Sequence, residues 1–445
     1  MKKNIIFTFL FLWCGYFGFS QDKFVIQNKK GVDKVKFRLI NNLIIIPVEV
    51  NGVTLSFLLD TGVSKPIIFN FLNVSDTLKI KDTETIYLRG LGGGESVEAL
   101  KSRNNIFKIG DAIKLSQDLY AVYNVNLNLA PKLGFPVHGI IGFDLFEDLI
   151  VEINYAMQTI VMTEPNRFED KPCKSCQYFG LEFYNKKPYI RAEVEMNQIT
   201  IPVKLLIDSG SSDALWLFEN DSLGLKPSRG FFIDFLGHGL NGSIYGKRSK
   251  VDQFSLKSFR LKYVNVSYPN REYIHFAQKI ENRNGSLGGN ILKRFNVIFH
   301  YKKRLLTLKK NKLFNEKFSY NKSGIELSHA GTRLVKEVDN SRPKDSKGLS
   351  SYEAQNTLVI KTSVKYKLEL RPAFVIVELR ANSPAEIAGL QKGDMLLSIN
   401  GKDTKQFSLQ QITQMFYGDN EKKIKLKVDR DGRELTFSFL LKALF

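Results

Sequence analysis

Residues 55–64 read Leu55-Ser56-Phe57-Leu58-Leu59-Asp60-Thr61-Gly62-Val63-Ser64, an apolar run that ends in an acid, a small hydroxyl residue and a glycine. A second stretch of the same kind reads Val203-Lys204-Leu205-Leu206-Ile207-Asp208-Ser209-Gly210-Ser211-Ser212. Each pattern predicts a strand that ends at the acid and enters a tight turn. One such tripeptide alone is equally consistent with an ordinary strand-ending turn, whereas two in the same setting indicate a shared role.

The duplication extends beyond the two acids. Downstream of Asp60 comes Gly139-Ile140-Ile141-Gly142-Phe143-Asp144-Leu145-Phe146, and downstream of Asp208 comes Gly285-Ser286-Leu287-Gly288-Gly289-Asn290-Ile291-Leu292. These stretches align without a gap at an offset of 146 (285 − 139), and the acids at an offset of 148 (208 − 60). Such matching order indicates an internal repeat. The sequence therefore predicts two copies of one lobe, each of which contributes one carboxylate.

This pattern resembles the aspartic peptidases of the pepsin and retropepsin kind. Their signature is apolar-apolar-Asp-Thr/Ser-Gly, followed later in each lobe by apolar-apolar-Gly. The resemblance covers roughly residues 35–310 and implies two pseudo-symmetric β-lobes, closer to a fused retropepsin dimer than to pepsin. It also implies that the two acids meet at the pseudo-two-fold axis. Val63 departs from the family, which usually has Ala or Ser at that position.

The predicted catalytic residues are Asp60 and Asp208. Two carboxylates about 3 Å apart cannot both ionise, so the pair shares a proton. The ionised member takes a proton from a bound water that attacks the peptide carbonyl, and the protonated member polarises that carbonyl. The resemblance thus implies peptide-bond hydrolysis.

Four neighbours are expected to support the acids. The resemblance implies that the hydroxyl groups of Thr61 and Ser209 fix the two turns across the lobe interface. Gly62 and Gly210 let the backbone approach the acids closely, because glycine has no side chain to prevent it.

Glycine-rich stretches about 30 residues after each acid are candidates for flaps, the β-hairpins that cover the substrate in the resembling enzymes. A dense run of glycines supplies a mobile tip that can lie against a substrate backbone. The alternative is that both stretches are ordinary hairpin turns. Tyr87 is a weak candidate for a flap aromatic. The flap candidates are Gly92, Gly93, Gly94, Gly237 and Gly239.

The chain begins with Met1-Lys2-Lys3 and an apolar run from Ile5 to Phe19, which predicts a signal peptide over residues 1–20 with cleavage near Ser20. The mature protein is therefore expected to be periplasmic, envelope-associated or extracellular. Lipidation at Cys14 stays open, although Trp13 stands where a small residue is expected. No later apolar run approaches the ~20 residues of a membrane span.

The formal net charge is +20, with Lys and Arg spread along the chain. This distribution predicts a solvated basic surface, and it leaves open adhesion to anionic envelope surfaces or a preference for acidic substrates. Nothing in the sequence resembles a nucleic-acid-binding module.

Two cysteines, Cys173 and Cys176, lie between the two repeats. In an exported chain we expect a local disulfide between them. A zinc site would need two more ligands, and the five histidines do not cluster. We expect neither a metal nor a cofactor.

The C-terminal region has a different pattern. The strand-like Val375-Ile376-Val377-Glu378-Leu379 is followed by a short helix in Ser383-Pro384-Ala385-Glu386-Ile387-Ala388-Gly389-Leu390, and later by a turn, a strand and the hairpin pair Asn400-Gly401. Over about 70 residues this region resembles a PDZ domain. The resemblance implies capture of an extended peptide on a strand edge, often with its C-terminal carboxylate held by backbone amides. The expected partners are polypeptide substrates and C-terminal or internal extended peptides.

Two stretches are candidates for the peptide-binding loop. The preferred one is Ser323-Gly324-Ile325-Glu326, which places the start of the PDZ-like domain near residue 316 and requires an insertion over about 329–372. The other candidate is Leu370-Arg371-Pro372-Ala373-Phe374.

We therefore expect a mainly β chain, with two aspartic-peptidase β-lobes followed by a PDZ-like α+β domain. The predicted ranges are 1–20 for the signal peptide, 21–165 for lobe 1, 166–315 for lobe 2 and 316–445 for the PDZ-like domain. Two functions remain open. One is an exported aspartic endopeptidase whose PDZ module recruits polypeptide substrates, and the other is a catalytically silent two-lobed peptide-binding protein with the same module.

Overall fold

A computed structural model describes residues 22–69, 78–123, 128–227, 230–338 and 366–445. One compact unit comprises Met1–Tyr320 and Ala443–Phe445, and a second comprises Asn321–Lys442. The predicted signal peptide and Cys14 lie outside the described residues. None of the helices in the described part of the chain has the length and hydrophobicity that a membrane-spanning helix requires.

The first lobe of the first unit is built on a twisted, mainly antiparallel sheet. Its strands follow the order β1-β9-β6-β10-β5-β4-β8-β7, with β3 paired to β4. Short loops with left-handed residues join several neighbours, as at Asn51 (φ 49°) and Gly52 (φ 88°) between β4 and β5. The strands are β1 (Val25–Ile26), β3 (Arg38–Ile40), β4 (Leu43–Val50), β5 (Val53–Leu59), β6 (Ile67–Ile68), β7 (Thr83–Leu88), β8 (Val97–Ile109), β9 (Ala112–Ala121) and β10 (Gly139–Ile141), and the helices are α1 (Ala130–Leu133) and α2 (Phe143–Asp148).

The second lobe repeats this pairing pattern. Its strands are β14 (Glu182–Tyr184), β15 (Lys187–Met196), β16 (Ile199–Asp208), β17 (Leu215–Leu217), β18 (Phe232–Gly239), β19 (Gly242–Leu256), β20 (Phe259–Pro269) and β21 (Arg283–Gly288), and its helices are α3 (Arg271–Gln278) and α4 (Gly289–Leu292). The strand that ends at the acid pairs in parallel with the downstream glycine strand in both lobes, β5 with β10 and β16 with β21. The internal repeat is therefore a structural repeat.

A further sheet joins the lobes, in the order β13-β23-β22-β11-β12-β2. Its central pair is antiparallel, with Val151 of β11 opposite Phe299 of β22. Phe146 of α2 packs against Phe299 and Tyr301 at ring-centroid distances of 5.1 and 5.3 Å. One hydrophobic core thus extends through both lobes. The strands are β2 (Val32–Lys36), β11 (Ile150–Asn154), β12 (Thr159–Thr163), β13 (Cys176–Gly180), β22 (Phe295–His300) and β23 (Leu305–Lys310).

The second unit has its own sheet and its own core, which includes Phe374, Leu396 and Ile412. Its strand order is β24-β25-β26-β28-β29, with β27 paired to β26. Ser408 begins α6 with a reciprocal cap involving Gln411, the arrangement that satisfies free N–H groups at a helix start. The elements are β24 (Ile325–Val338), β25 (Tyr366–Leu379), α5 (Pro384–Ile387), β26 (Met395–Ile399), β27 (Lys402–Asp403), α6 (Leu409–Phe416), β28 (Lys423–Arg430) and β29 (Arg433–Leu440).

Two expectations for this region need correction. The start and the end of the predicted insertion 329–372 are strand, because β24 and β25 form a long ribbon that pairs Leu334 with Leu370 and Val338 with Tyr366. The alternative loop Leu370–Phe374 is for the same reason part of β25.

The predicted start of the PDZ-like domain at residue 316 also differs from the observed division after Tyr320. Arg294 holds the intervening segment on the first unit. Its guanidinium donates to the carbonyl oxygens of Phe314 and Glu316, and it lies 3.7 Å from the ring centroid of Phe318.

Candidate functional site

The two acids lie at the ends of equivalent strands, Asp60 after β5 and Asp208 at the end of β16. Each carboxylate accepts a hydrogen bond from the glycine of its own turn, Gly62 N to Asp60 Oδ1 at 2.7 Å and Gly210 N to Asp208 Oδ1 at 3.1 Å. A side chain on Gly210 would come within 2.4 Å of Asp60 Cγ, so the two turns approach each other closely. The structure thus brings together the two predicted acids and both predicted glycines.

The hydroxyl groups of Thr61 and Ser209 lock the two turns together. Thr61 Oγ1 donates to Ile207 O at 2.7 Å and accepts from Ser209 N at 3.1 Å. Ser209 Oγ donates to Leu59 O at 2.8 Å and accepts from Thr61 N at 3.0 Å. Both residues are buried. Each hydroxyl therefore reaches across the lobe interface, and the reciprocal pattern fixes the separation of the acids.

Burial is the main influence on the pKa values of the two acids. Burial and, to a smaller extent, the negative charge of Asp208 raise the pKa of Asp60 to about 7, against the opposing effects of the Gly62 N–H and of Lys187. Burial also raises the pKa of Asp208, but the cations Arg283 and Lys187 act in the opposite direction, as does a hydrogen bond with Asp60. The pair therefore has one carboxyl that holds its proton more firmly and one that ionises more readily.

Lys187 and Arg283 were not predicted from the sequence. Burial lowers the pKa of Lys187, and the charges of Asp60 and Asp208 raise it, so the ammonium lies within the field of both acids. Arg283 donates from its guanidinium to Gly285 O at 3.2 Å and to Ser286 Oγ at 2.9 Å. Its charge also acts on Asp208. Both cations come from the second lobe.

The positions of these cations become apparent when strand register aligns the two lobes. Lys187 lies two residues before Tyr189, which pairs with Leu206, just as Leu43 lies two residues before Ile45, which pairs with Leu58. Arg283 and Val137 likewise each precede the paired glycine of their lobe by two positions. Leu43 and Val137 are buried apolar residues. An alignment of the two lobes therefore shows a cation in lobe 2 at two positions that are apolar in lobe 1.

The predicted flap glycines lie at the tips of two hairpins, β7–β8 and β18–β19, and the two tips contact each other. Asn241 N donates to Leu91 O at 2.9 Å, and Gly94 N donates to Asn241 O at 2.8 Å. The Asn241 side chain accepts from Gly90 N at 2.5 Å and donates to Glu95 O. Asn241, which is buried, is a further residue that the sequence did not single out.

Glycine is required where the tips cross. A side chain on Gly92 would lie 2.5 Å from the backbone of Asn241, one on Gly94 2.7 Å from Asn241 O, and one on Gly239 2.1 Å from Leu91 O. A side chain on Gly93 would lie 3.1 Å from the ring of Tyr273, whereas one on Gly237 would meet nothing within 4 Å. Tyr87, on β7, is 70% exposed.

Each hairpin tip packs one apolar side chain against a hydrophobic cluster of the other lobe. Leu240, from the second lobe, packs on the first-lobe cluster that contains Val97 and Ala99. Leu91, from the first lobe, packs on the second-lobe cluster that contains Trp216 and Leu236. The tips are therefore held by both hydrogen bonds and burial, and their contact joins the two lobes.

A cavity of about 950 Å³ lies beside this contact. It is lined by the start of β8, by Pro131 and Lys132, and by the tip of the second hairpin from His238 to Ser243. Its described lining includes neither acid, so it is separate from the immediate surroundings of the dyad.

The remaining predicted residues lie apart from the acids. Cys173, just before β13, forms a disulfide with Cys176, the first residue of β13. Ser323–Glu326 lie in the second unit, where they lead into and begin β24. No group of acidic, histidine and cysteine side chains suited to a metal ion occurs among the described residues.

Comparison with known families agrees with the sequence resemblances. Residues 46–145 match a family model described as aspartyl protease, and residues 375–430 match one described as PDZ domain. The resemblance to aspartic peptidases and to a PDZ domain is thereby confirmed, and so is a mainly β fold with a protease domain followed by a C-terminal PDZ domain. The first match includes Asp60 and Gly139 and supports a peptidase. No curated protein matches the chain.

Proposed function

We propose that this chain is an aspartic-type endopeptidase in which Asp60 and Asp208 activate a water molecule for attack on a peptide bond. The observation that carries the proposal is the reciprocal hydroxyl lock. The hydroxyl groups of Thr61 and Ser209 each donate to a backbone carbonyl oxygen of the opposite lobe and accept from the N–H group of the opposite turn. A rigid, symmetric frame of this kind holds two carboxylates close enough to share one proton.

Charge asymmetry supports distinct roles for the two acids. Burial raises the pKa of both acids and Lys187 favours ionisation of both, but Arg283 acts on Asp208, whereas the pKa of Asp60 is raised to about 7. Asp208 is therefore assigned as the base that accepts a proton from water, and Asp60 as the acid that donates a proton to the carbonyl oxygen. The water oxygen bonds to the carbonyl carbon and forms a tetrahedral intermediate.

Breakdown of this intermediate restores the starting state. Asp208 gives the proton that it gained to the peptide nitrogen, and the carbon–nitrogen bond breaks. Asp60 takes a proton back from a hydroxyl of the intermediate as the new carboxyl group forms. Asp208 thus ends ionised and Asp60 ends protonated, as they began, and no cofactor is required.

The joined hairpin tips are proposed to cover the dyad and to exclude bulk water from this reaction. Because the two tips contact each other through Asn241, entry of a polypeptide beneath them is proposed to require their separation. Closure over the bound substrate would strengthen the electrostatic interactions of the dyad.

Recruitment and location complete the proposal. The PDZ domain is proposed to bind polypeptides and present them to the protease domain. Residues 1–20 are proposed to direct export and to be removed near Ser20. The disulfide between Cys173 and Cys176 supports an oxidising compartment.

A peptide-library cleavage assay tests the proposed reaction. The full chain, Asp60→Asn and Asp208→Asn are compared, with Asp221→Asn, an exposed acid in the second lobe, as the matched control. Each dyad variant should lose at least about 10³-fold in kcat/KM, and the double variant should lose no more than either single one. Full activity in a dyad variant would contradict the proposal. Peptide binding without any cleavage by the unmodified chain would favour the silent peptide-binding alternative.

A further inference from the structure

The loop Asn321–Ile325 leads into β24, which lies at one edge of the sheet of the second unit. Among the described residues, β24 pairs with β25 alone. An extended peptide can add to such an edge, and consecutive backbone N–H groups in the preceding loop can hold its terminal carboxylate. Here those donors are the N–H groups of Ser323, Gly324 and Ile325.

All three N–H groups already donate within the loop. Asn321 Oδ1 accepts from Ser323 N at 3.0 Å and from Gly324 N at 3.2 Å. Ser323 Oγ accepts from Ile325 N at 3.0 Å and donates to Asn321 Oδ1 at 2.8 Å. Asn321 is 6% exposed and Ser323 is fully buried. An oxygen of the chain itself thus lies where a ligand carboxylate would bind.

The amide nitrogen of the Asn321 side chain donates to a backbone carbonyl oxygen next to these N–H groups. Asn321 Nδ2 donates to Ile325 O at 2.6 Å, the first carbonyl of β24. The Asn321 amide therefore presents one acceptor to the loop and one donor to the strand. The terminal residue of an added peptide would present the same two kinds of group, its carboxylate as the acceptor and its backbone N–H as the donor.

The cations beside the loop are directed at backbone carbonyls. Lys322 Nζ donates to Tyr417 O at 3.2 Å and Gly418 O at 2.7 Å, next to the end of α6. Arg380 donates from Nη1 to Asn321 O at 3.2 Å. Lys322 Nζ and Arg380 Nη1 therefore donate to carbonyl oxygens of the chain itself.

We propose that the second unit binds internal extended segments of polypeptides and discriminates against free carboxyl termini, because Asn321 takes the place of a terminal carboxylate. An internal segment can pair with β24 beyond Ile325 without displacing this buried amide. A carboxylate must expel Asn321 and leave its polar atoms without their partners, which costs about tenfold or more in affinity. The inference rests on the proposed recruiting role of the PDZ domain, but not on hydrolysis.

The test uses photo-crosslinking to the full chain carrying Asp208→Asn, so that failure of binding and failure of catalysis are separated. Two pools of random decapeptides, identical except for a free or an amidated C-terminus, carry a photoreactive residue and biotin. Mass spectrometry then measures labelling of residues 321–442. Asn321→Ala opens the loop, Asn321→Asp keeps an acceptor in it, and Gln406→Ala alters an exposed amide elsewhere in the unit.

We expect both pools to label residues 321–442 equally in the Asp208→Asn background, in Asn321→Asp and in Gln406→Ala. In Asn321→Ala the free-carboxylate pool should gain about tenfold over the amidated pool. A clear preference for free carboxylates with Asn321 in place would overturn the proposal, even if Asn321→Ala failed to fold. Absence of labelling by both pools would also overturn it, because internal segments would then not bind.

Discussion

Lys187 and Asp208 lie on adjacent antiparallel strands, Lys187 two residues before Tyr189 and Asp208 two residues after Leu206, the residue that pairs with Tyr189. In the first lobe the same relationship joins Leu43 to Asp60. The two halves of the dyad are therefore framed by the same backbone but by different side chains. A cation in one lobe and an apolar residue in the other therefore break the pseudo-symmetry of the dyad's surroundings, and the charge of Lys187 acts on both acids.

This asymmetry predicts a change in pH dependence. In Lys187→Leu, which copies Leu43, loss of the cation should raise the pKa of Asp208, because the cation favours its ionised form. The acid limb of the kcat/KM profile should then move to higher pH. The upper limb should also move up, since Lys187 lowers the pKa of Asp60 too.

Lys187→Arg serves as the matched control, since it keeps the positive charge and should leave both limbs in place. The profile is measured on a short peptide, so that recruitment plays no part. An unchanged acid limb in Lys187→Leu would show that Lys187 does not set the proton affinity of the dyad.

The hydroxyl lock predicts a large effect on stability from a very small change in shape. Thr61→Val removes the hydroxyl that donates to Ile207 O and accepts from Ser209 N, and leaves both groups buried without a partner. The free energy of unfolding should fall by about 2–5 kcal/mol. Thr61→Ser keeps the hydroxyl and should lose much less. Chemical denaturation of both variants provides the measurement, and equal stability of Thr61→Val and the unmodified chain would contradict the lock.

The contact between the hairpin tips predicts that added bulk prevents closure. A side chain in Gly94→Ala would lie 2.7 Å from Asn241 O, so the tips must separate. The kcat/KM for short peptides should fall by between about 10- and 100-fold. The separated tips could no longer close over the substrate and hold it in the reactive geometry. Amide hydrogen exchange at Gly90–Glu95 should become faster.

Gly180→Ala is the matched control, since a side chain there would meet nothing within 4 Å. It should leave both activity and hydrogen exchange unchanged. Normal activity in Gly94→Ala, with normal exchange at the tip, would show that the contact between the hairpins is not needed for the reaction.

Much of the protease fold could be predicted from its duplication. Two copies of a strand, an acid and a tight turn at nearly constant offset require equivalent surroundings. The duplication alone therefore predicts that Asp60 and Asp208 lie close together. The supporting Thr61 and Ser209 followed from the same resemblance. Neither inference needed knowledge of strand pairing.

The cations and the tip contact could not be recognised in the same way. Lys187 stands in the polar stretch Asn185-Lys186-Lys187, and Arg283 in Glu281-Asn282-Arg283-Asn284, which both read as solvated loops. Their nearness to the acids arises from strand register across the lobe. Asn241 is likewise a common turn residue in the sequence, and its bonds to Gly90 and Glu95 span about 150 positions of the chain.

The last prediction separates recruitment from chemistry by removal of the second unit. Tyr320 and Leu444 both belong to the first unit, and Leu444 N donates to the Tyr320 hydroxyl at 2.6 Å. The rings of Tyr320 and Phe445 are also in contact, at 4.7 Å. A short Gly-Ser linker can therefore replace residues 321–442 and keep this end of the first unit intact.

If the second unit recruits polypeptides, this variant should cleave short peptides with unchanged kcat/KM. Its kcat/KM on a long protein substrate should fall by about tenfold or more, chiefly through KM, because a second binding site raises the local concentration of the substrate. Thermal unfolding of the variant checks that the first unit remains folded. Equal losses on short and long substrates, together with a lower melting temperature, would mean that the second unit supports the protease fold and does not recruit.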